Sequence, residues 1–155
     1  MKVRLLTVSH KQPGWVLEGC AEYERRLPRE WGFQLVAVKP EARTSAASME
    51  RVQAAEARRL RAALPKGARV IALDERGESW STQQLADRLG RWQQEGRDLG
   101  FVIGGADGFD PEFRAAADLR VSLSAMTLPH GLVRIVVVEQ LYRAASLLHG
   151  HPYHK

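Results

Sequence analysis

Cysteine is almost absent from this chain of 155 residues, in which Cys20 is the single example. One cysteine excludes an internal disulfide and argues against a cysteine-based metal site. Long apolar runs are absent as well, since no stretch reaches the roughly 20 residues that a membrane span needs. The apolar opening at 1–8 is too short for a secretory signal, and Lys11 follows it closely. These absences make a cytoplasmic location the default expectation.

Common nucleotide-binding and catalytic motifs are also missing. A dinucleotide-binding fingerprint needs several glycines after the first strand, where Gly14 stands alone. The later glycines at 104, 105 and 108 lack the G-x-G-x-x-G spacing, and neither a P-loop nor a Ser-His-Asp triad can be assembled. Three histidines lie near the C-terminus: His149, His151 and His154. Their spacings of two and three match no standard metal-ligand set, so we expect no metal.

Positive charge is present in excess. The net charge is +5 and the sequence pI is about 9.8. The whole surplus lies within residues 1–75, and residues 76–155 carry equal numbers of both signs. Contacts with the phosphates of a nucleic acid are one explanation, and a solvated surface in an Arg-rich protein is the other.

Strands and helices alternate along the whole chain. Apolar runs bounded by turn residues predict five strands: 2–9, 33–38, 69–74, 99–103 and 120–124. Apolar periodicity, caps and breakers predict five helices: 14–27, 49–64, 82–95, 111–119 and 132–148. Ser81 and Gln84 form a capping box before the third helix. The alternation predicts a single α/β domain over 1–155, with a mainly parallel sheet flanked by helices.

Three of these helices carry more specific expectations. Cys20 lies on the apolar face of the first helix, which favours a buried, inert thiol over a nucleophile. The 132–148 stretch is apolar almost all round, so we expect both the core and a partner chain to cover it. Residues 135–138 alone could form a strand, but the absence of any breaker favours a helix. The second helix should point four residues inward: Met49, Val52, Leu60 and Leu64.

Small residues and glycines follow two of the predicted strands. Gly104 and Gly105 follow the fourth strand, and the 123–130 loop follows the fifth. Glycine lets the backbone approach a ligand closely, although a tight turn without a ligand would need it as well. Asp74 ends the third strand, where open α/β sheets place ligand groups, and an ordinary turn aspartate is the alternative.

Four motifs follow one another in the last third of the chain. They are Ile-Gly-Gly-x-x-Gly at 103–108, Leu-Ser-x-x-Thr-Leu-Pro-His at 123–130, Glu-Gln-x-Tyr-Arg-Ala at 139–144 and His-Pro-Tyr-His-Lys at 151–155. With the length and the opening strand, this order resembles the RlmH (YbeA) family, the 23S rRNA pseudouridine N3-methyltransferases of the SPOUT class. The first motif alone would be weak, but the combination is highly specific, and the resemblance covers the whole chain.

The resemblance implies a homodimer of α/β domains with a trefoil knot, a rare exception among folds, within roughly residues 70–150. It implies S-adenosylmethionine as the methyl donor. It also implies that a pseudouridine of 23S rRNA, in the assembled ribosome, is methylated at the subunit interface. Backbone groups of nine residues would hold the cofactor: Leu73, Gly104, Gly105, Leu123, Ser124, Ala125, Met126, Thr127 and Leu128.

The chemistry of N3 methylation suggests the catalytic residues. The N3 proton must leave, so a base or an oxyanion-stabilising cation would help. The candidates are Arg143 for the charge, Tyr153 for stacking on an extruded base and His154 for accepting the proton. The alternatives are that Arg143 only pairs with Glu139, one helical turn earlier, and that the tail is a frayed terminus.

Five basic residues are predicted to contact RNA: Arg51, Arg58, Arg59, Arg61 and His130. The stretch Arg43-Thr44-Ser45 is either a further phosphate contact or part of a plain flexible loop. Two other functions stay open at this point. One is a non-catalytic RNA-binding or ribosome-associated factor that uses the same basic surface, and the other is a different α/β nucleotide-binding enzyme.

Overall fold

The computed structural model describes residues 1–44 and 46–154, without the side chain of His154. Ser45 and Lys155 lie outside the described residues, and with Ser45 so does part of the possible phosphate contact. The strands are β1 (Val3–Val8), β2 (Gln34–Val38), β3 (Arg69–Ser79), β4 (Leu99–Ile103) and β5 (Leu119–Ser122). The helices are α1 (Gly14–Glu24), α2 (Met49–Ala63), α3 (Thr82–Glu95), α4 (Pro111–Ala116) and α5 (His130–Leu148). Short 3-10 helices cover Arg29–Trp31 and Pro152–His154.

The five strands form one sheet in the order β2-β1-β4-β3-β5. Every pair of neighbouring strands is parallel. All residues of β4 are buried, as expected for a strand that helices cover on both faces. The predicted α/β fold with a parallel sheet is confirmed.

The two faces of the sheet pack against different helices. Leu5 of β1 belongs to the cluster that contains Leu89 of α3 and Leu141 of α5, and α1 contacts α5 on this side. Leu6, the next residue, belongs to the cluster that contains Leu60 of α2 and Phe113 of α4. Successive strand residues point to opposite faces, so one strand supplies both clusters. Each fully buried leucine contributes roughly 1.5–3 kcal/mol of hydrophobic stabilisation.

The predicted capping box is present at the start of α3. Ser81 Oγ accepts from the backbone N–H of Gln84 at 3.1 Å, and Gln84 Oε1 accepts from the N–H of Ser81 at 2.8 Å. Both bonds satisfy N–H groups that a helix start leaves free. The sequence therefore places this boundary correctly.

Predictions about buried side chains have mixed outcomes. Cys20 is buried as predicted, and its burial raises the thiol pKa to about 11, which keeps it protonated and inert. Val52 and Leu60 point inward as predicted, and Leu64 is half-buried. The prediction for Met49 is wrong, since 55% of it is exposed. Met49 is the first residue of α2, and its side chain lies at the edge of a cleft, whereas the rest of the helix packs on the sheet.

β3 runs to Ser79 and not to residue 74 as predicted. Val121 of β5 is opposite both Leu73 and Glu78, so residues 74–77 bulge out of the ladder between them. Gly77 permits this arrangement, because a Cβ there would lie only 2.5 Å from the backbone of β5. The bulge depends on the contact between β3 and β5, which are far apart in sequence. The pattern of apolar residues within β3 alone therefore does not predict it.

The boundaries of α1, α4 and α5 also differ from the prediction. α1 ends at Glu24, a few residues earlier than expected, and α5 begins at His130, directly after Pro129, and not at residue 132. α4 ends at Ala116, because extended backbone at Ala117 leads the chain into β5. Leu119 is therefore a strand residue and not a helical one.

Candidate functional site

A cleft of about 890 Å³ opens at the carboxyl ends of β3, β4 and β5. Open α/β sheets bind their ligands at this edge. Three segments surround the cleft: residues 73–76 of β3, the glycine turn 103–109 and the loop that leads into α5. Of the nine predicted cofactor residues, all except Ala125 line it, and Ala125 is an exposed residue of the same loop. The structure thus brings the predicted cofactor residues together.

The glycine turn is compact. The N–H of Gly108 donates to the carbonyl of Gly105 at 2.9 Å, and Gly108 has a φ of +77°. A Cβ at Gly105 would lie 2.6 Å from Glu56 Oε1, so a side chain there would collide with a buried carboxylate. A Cβ at Gly104 would lie 3.2 Å from the ring of Phe109. The turn can lie this close to α2 because position 105 has no side chain.

α2 and the loop before it hold the glycine turn from behind. Gln53 Nε2 donates to the carbonyl oxygen of Asp107 at 2.8 Å, and Arg43 Nε donates to Asp107 Oδ2 at 2.8 Å. Glu56 is 3% exposed, and its Oε2 accepts from the backbone N–H of Glu41 at 3.2 Å. The sequence reasoning missed Gln53 and Glu56. Polar residues on the inward face of a helix were the available signal.

Asp74 stiffens the bulge of β3. Its carboxylate pairs with Arg114 and accepts from the N–H of Arg76 at 2.9 Å. Burial alone would raise the pKa of Asp74, but the N–H of Arg76 and the guanidinium of Arg114 outweigh it and lower that pKa. Because both oxygens have partners, the reading of Asp74 as a turn residue is favoured over that of a ligand group.

His130 lies in the wall of the cleft. Both ring nitrogens are buried and have no well-aligned hydrogen-bond partner among the described residues. Burial, followed by the neighbouring guanidinium of Arg134, lowers the pKa of His130. The imidazole is therefore neutral at physiological pH. His130 was predicted to contact RNA, but its position in the wall of the cleft favours contact with a ligand bound there.

Arg134 is a buried cation one turn further along α5. It is 3% exposed, and its Nη2 donates to Thr7 Oγ1 at 3.2 Å and to Ser9 Oγ at 2.7 Å. Burial lowers its pKa, and the ionisable groups of Cys20 and Glu24 act in the opposite direction. Arg134 thereby attaches the start of α5 to the end of β1.

A second cluster forms where the C-terminal tail contacts α5. Arg143 Nε donates to Glu139 Oε1 at 2.8 Å, and Tyr153 Oη donates to the same oxygen at 3.2 Å. The guanidinium lies 4.9 Å from the centre of the Tyr153 ring, which also packs against Tyr142. The pairing of Arg143 with Glu139 is confirmed, and Tyr153 is docked on α5, so the tail is not frayed at this residue. The side chain of His154 lies outside the described residues.

The surroundings of Tyr153 in this C-terminal cluster determine its protonation state. Burial and then the Glu139 carboxylate raise the pKa of Tyr153 to about 12. The hydrogen bond to Glu139 is the main cause of a raised pKa at Arg143. At neutral pH Tyr153 therefore keeps its proton and cannot act as the base, while Arg143 keeps its positive charge.

The cleft and the C-terminal cluster do not meet within one chain. His130 begins α5 at the cleft, and Arg143 follows 13 residues later on the same helix. At a rise of 1.5 Å per residue, the two positions are about 20 Å apart. Arg143 and Tyr153 thus form a group that is separate from the predicted cofactor residues.

The predicted RNA contacts on α2 fall into two kinds. Arg51, Arg58 and Arg61 are exposed, and Arg61 lies over the ring of Phe113. Arg59 is different, because it donates to the carbonyl of Lys39 and to Glu41 Oε2, both at 2.7 Å. Arg59 thus has a structural role in holding the loop before α2.

The part of the chain that the structure describes lacks two other kinds of site. No group of His, Cys, Asp or Glu side chains in that part could hold a metal ion. Its helices also fall short of the length and apolar character that crossing a bilayer demands.

Comparison with known proteins identifies a matching protein family. The family model described as "Predicted SPOUT methyltransferase" matches residues 1–154. A protein of Burkholderia vietnamiensis named "Ribosomal RNA large subunit methyltransferase H" is 56% identical over 155 residues, which cover all of this chain and 99% of that one. A relative of the same name in Burkholderia multivorans is equally similar. A probable methylase family protein from Haemophilus influenzae has a similar fold, with a TM-score of 0.62 at 13% identity over 96% of this chain and 66% of its own.

Proposed function

The chain belongs to the SPOUT methyltransferase family, and from this premise we propose that it transfers a methyl group from S-adenosylmethionine to N3 of a pseudouridine in 23S ribosomal RNA. The observation that carries the proposal is the cleft, which is lined by all but one of the residues that the family resemblance assigns to the cofactor. The relatives named as methyltransferases of large-subunit ribosomal RNA support the substrate class. Since ribosomes are the substrate, the cytoplasm is the expected location.

The dimensions and walls of the cleft fit this cofactor. A volume of about 890 Å³ lies within the usual range for small-molecule sites, roughly 300–1,000 Å³. Leu73, the glycine turn and the 123–128 loop would hold the molecule largely through backbone groups. When bound, S-adenosylmethionine supplies a methyl group on a positively charged sulfur. The protein's task is then to align the accepting nitrogen with that methyl and to exclude water.

The C-terminal cluster fits the nucleotide. Arg143 keeps its charge and can stabilise the anion that forms when N3 loses its proton. Tyr153 presents a ring on which an extruded base can stack, and Glu139 orients both residues. His154 stays the candidate proton acceptor, because Tyr153 retains its own proton.

The separation of the two groups supports a homodimer whose sites are shared. We place the C-terminal cluster of one copy against the cleft of the other, since about 20 Å of helix separates them within a chain. α1 and α5, which contact each other, leave large apolar side chains exposed: Trp15, Leu17, Leu132 and Leu148. Apolar surface of this kind is typical of a covered interface.

Two measurements test the proposal. Calorimetry should show binding of S-adenosylmethionine, whereas a non-catalytic RNA-binding factor or another nucleotide enzyme would show none. Assembled ribosomes and free rRNA, incubated with the protein and the cofactor, should then be digested and read by mass spectrometry. A methyl group on N3 of a pseudouridine is the expected product. A methyl group on any other atom, or none on either substrate, would refute the assignment.

A further inference from the structure

Glu56 is a buried carboxylate directly behind the glycine turn. It is 3% exposed, and its Oε1 has no hydrogen-bond partner in the described part of the chain. A Cβ at Gly105 would lie 2.6 Å from that oxygen, so the carboxylate faces the backbone of the turn at contact distance. The cleft is lined by Gly105 as well. Only the peptide chain of the turn therefore separates this oxygen from a ligand in the cleft.

The cations near Glu56 are engaged elsewhere. Arg59 pairs with Glu41 at 2.7 Å, and Arg43 pairs with Asp107 at 2.8 Å. Within residues 1–44 and 46–153, no ion pair includes Glu56 itself, and its other oxygen accepts one backbone N–H. Burying a carboxylate without a cation is unfavourable, and the fold nevertheless retains this one beside the cleft.

The reaction of the proposed function changes the charge of the ligand. Methyl transfer breaks the bond between sulfur and the methyl carbon, whose electron pair stays on sulfur, and forms the bond between that carbon and N3. The N3 proton passes to the candidate acceptor His154. The sulfur is therefore positively charged in the donor and neutral in the thioether product, S-adenosylhomocysteine. A negative charge close to the cleft, shielded from water, distinguishes the two by Coulomb attraction.

We propose that Glu56 is a specificity-determining residue that makes the cleft prefer the positively charged donor over its neutral product. This inference rests on the proposed function, because it takes S-adenosylmethionine as the ligand. Three other carboxylates line the cleft: Asp74 is paired with Arg114, Asp107 is paired with Arg43, and Glu75 is exposed to water, which screens its charge. Glu56 is the buried carboxylate of this region that lacks such a partner among the described residues. Its charge also favours release of the product once the methyl group has gone.

Calorimetry with both ligands tests the preference. Glu56→Gln keeps the shape of the side chain and removes its charge. We expect the Kd for S-adenosylmethionine to rise about tenfold, equivalent to ~1.4 kcal/mol, and the Kd for S-adenosylhomocysteine to stay within about twofold. Glu41→Gln is the matched control, because Glu41 is a carboxylate of the same region that is already paired with Arg59. It should leave the ratio of the two Kd values unchanged.

Other outcomes are equally informative. If both Kd values rise together, Glu56 only shapes the glycine turn and the inference is wrong; unchanged values refute it as well. If Glu56→Gln does not fold, the native protein can be measured at about 0.1 M and about 1 M salt, which shortens the screening length from roughly 10 Å to 3 Å. A preference for S-adenosylmethionine that arises from a buried charge should persist at high salt. Loss of that preference at about 1 M salt would overturn the inference. If neither ligand binds the native protein, the proposed function itself fails.

Discussion

Two variants that are each inactive alone should regain methyltransferase activity when they form a mixed dimer. Gly104→Val adds a branched side chain where a Cβ alone would lie 3.2 Å from Phe109, and it should block the cofactor cleft. Deleting residues 151–155 removes Tyr153 and should lower methyl transfer at least about a hundredfold, near 2.7 kcal/mol of transition-state stabilisation. Each variant damages one of the two groups of residues and leaves the other intact.

The expected recovery follows from the symmetry of a two-fold dimer. Random exchange of equal amounts of the two variants makes about half of the dimers mixed. In a mixed dimer, one site combines the intact cleft of the truncated chain with the intact tail of the Gly104→Val chain. The other site combines both defects. About a quarter of native activity should therefore return, whereas sites built within one chain would recover none.

Transfer of a labelled methyl group to ribosomes measures this recovery, with native mass spectrometry to verify that subunits have exchanged. The matched control mixes the truncated chain with Arg143→Ala. Both of those variants damage the C-terminal cluster, so their mixed dimers should stay inactive. Activity no higher than that of the parents, in a sample that contains mixed dimers of Gly104→Val and the truncated chain, would refute the shared site.

Three further predictions concern the tail, the basic helix and the stability of α3. Truncation at residue 150 should leave the Kd for S-adenosylmethionine within about threefold, under 1 kcal/mol, and a larger change in calorimetry would place the tail at the cofactor. Reversing the charge of Arg51, Arg58 or Arg61 should weaken binding to ribosomes or rRNA and reduce its salt dependence by about one unit of log–log slope each. Filter binding over a salt series measures this effect, and unchanged affinity would place the RNA surface elsewhere. Ser81→Ala should lower the free energy of unfolding by ~1 kcal/mol in urea titrations, since it removes the cap that holds the N–H of Gln84; no loss would mean that water replaces the cap.

Much of the fold is predictable because the signals are local. Apolar runs locate all five strands, and Ser81 locates the start of α3. The extension of β3 beyond residue 74 is not predictable, since it depends on Gly77 fitting against β5. The order of the strands depends in the same way on contacts between distant segments. The trefoil knot and the homodimer interface on α5 stay predictions.

The candidate site is predictable in its motifs but not in its supports. The glycine turn and the 123–128 loop stand out because several unusual residues are adjacent in sequence. Gln53, Glu56 and Arg134 do not stand out, because each gains its role from a segment far away in the chain. Gln53 and Glu56 are three residues apart on the inward face of α2. The local sequence signal for them is a charged residue within a stripe of apolar residues, since charged side chains are seldom buried.

The bond between Arg134 and Thr7 has a consequence for how the protein is made. This bond joins residues that are 127 positions apart in sequence. In addition, the second edge of β1 stays unpaired until β4 has been synthesised. A ribosome adds roughly 5–20 residues per second, so β1 emerges on the order of ten seconds before α5 can bind it. During synthesis an apolar strand thus has an open edge, and the last helix to leave the ribosome completes the native state. The nascent chain therefore has an open strand edge until β4 has emerged, and an uncovered apolar face until α5 follows.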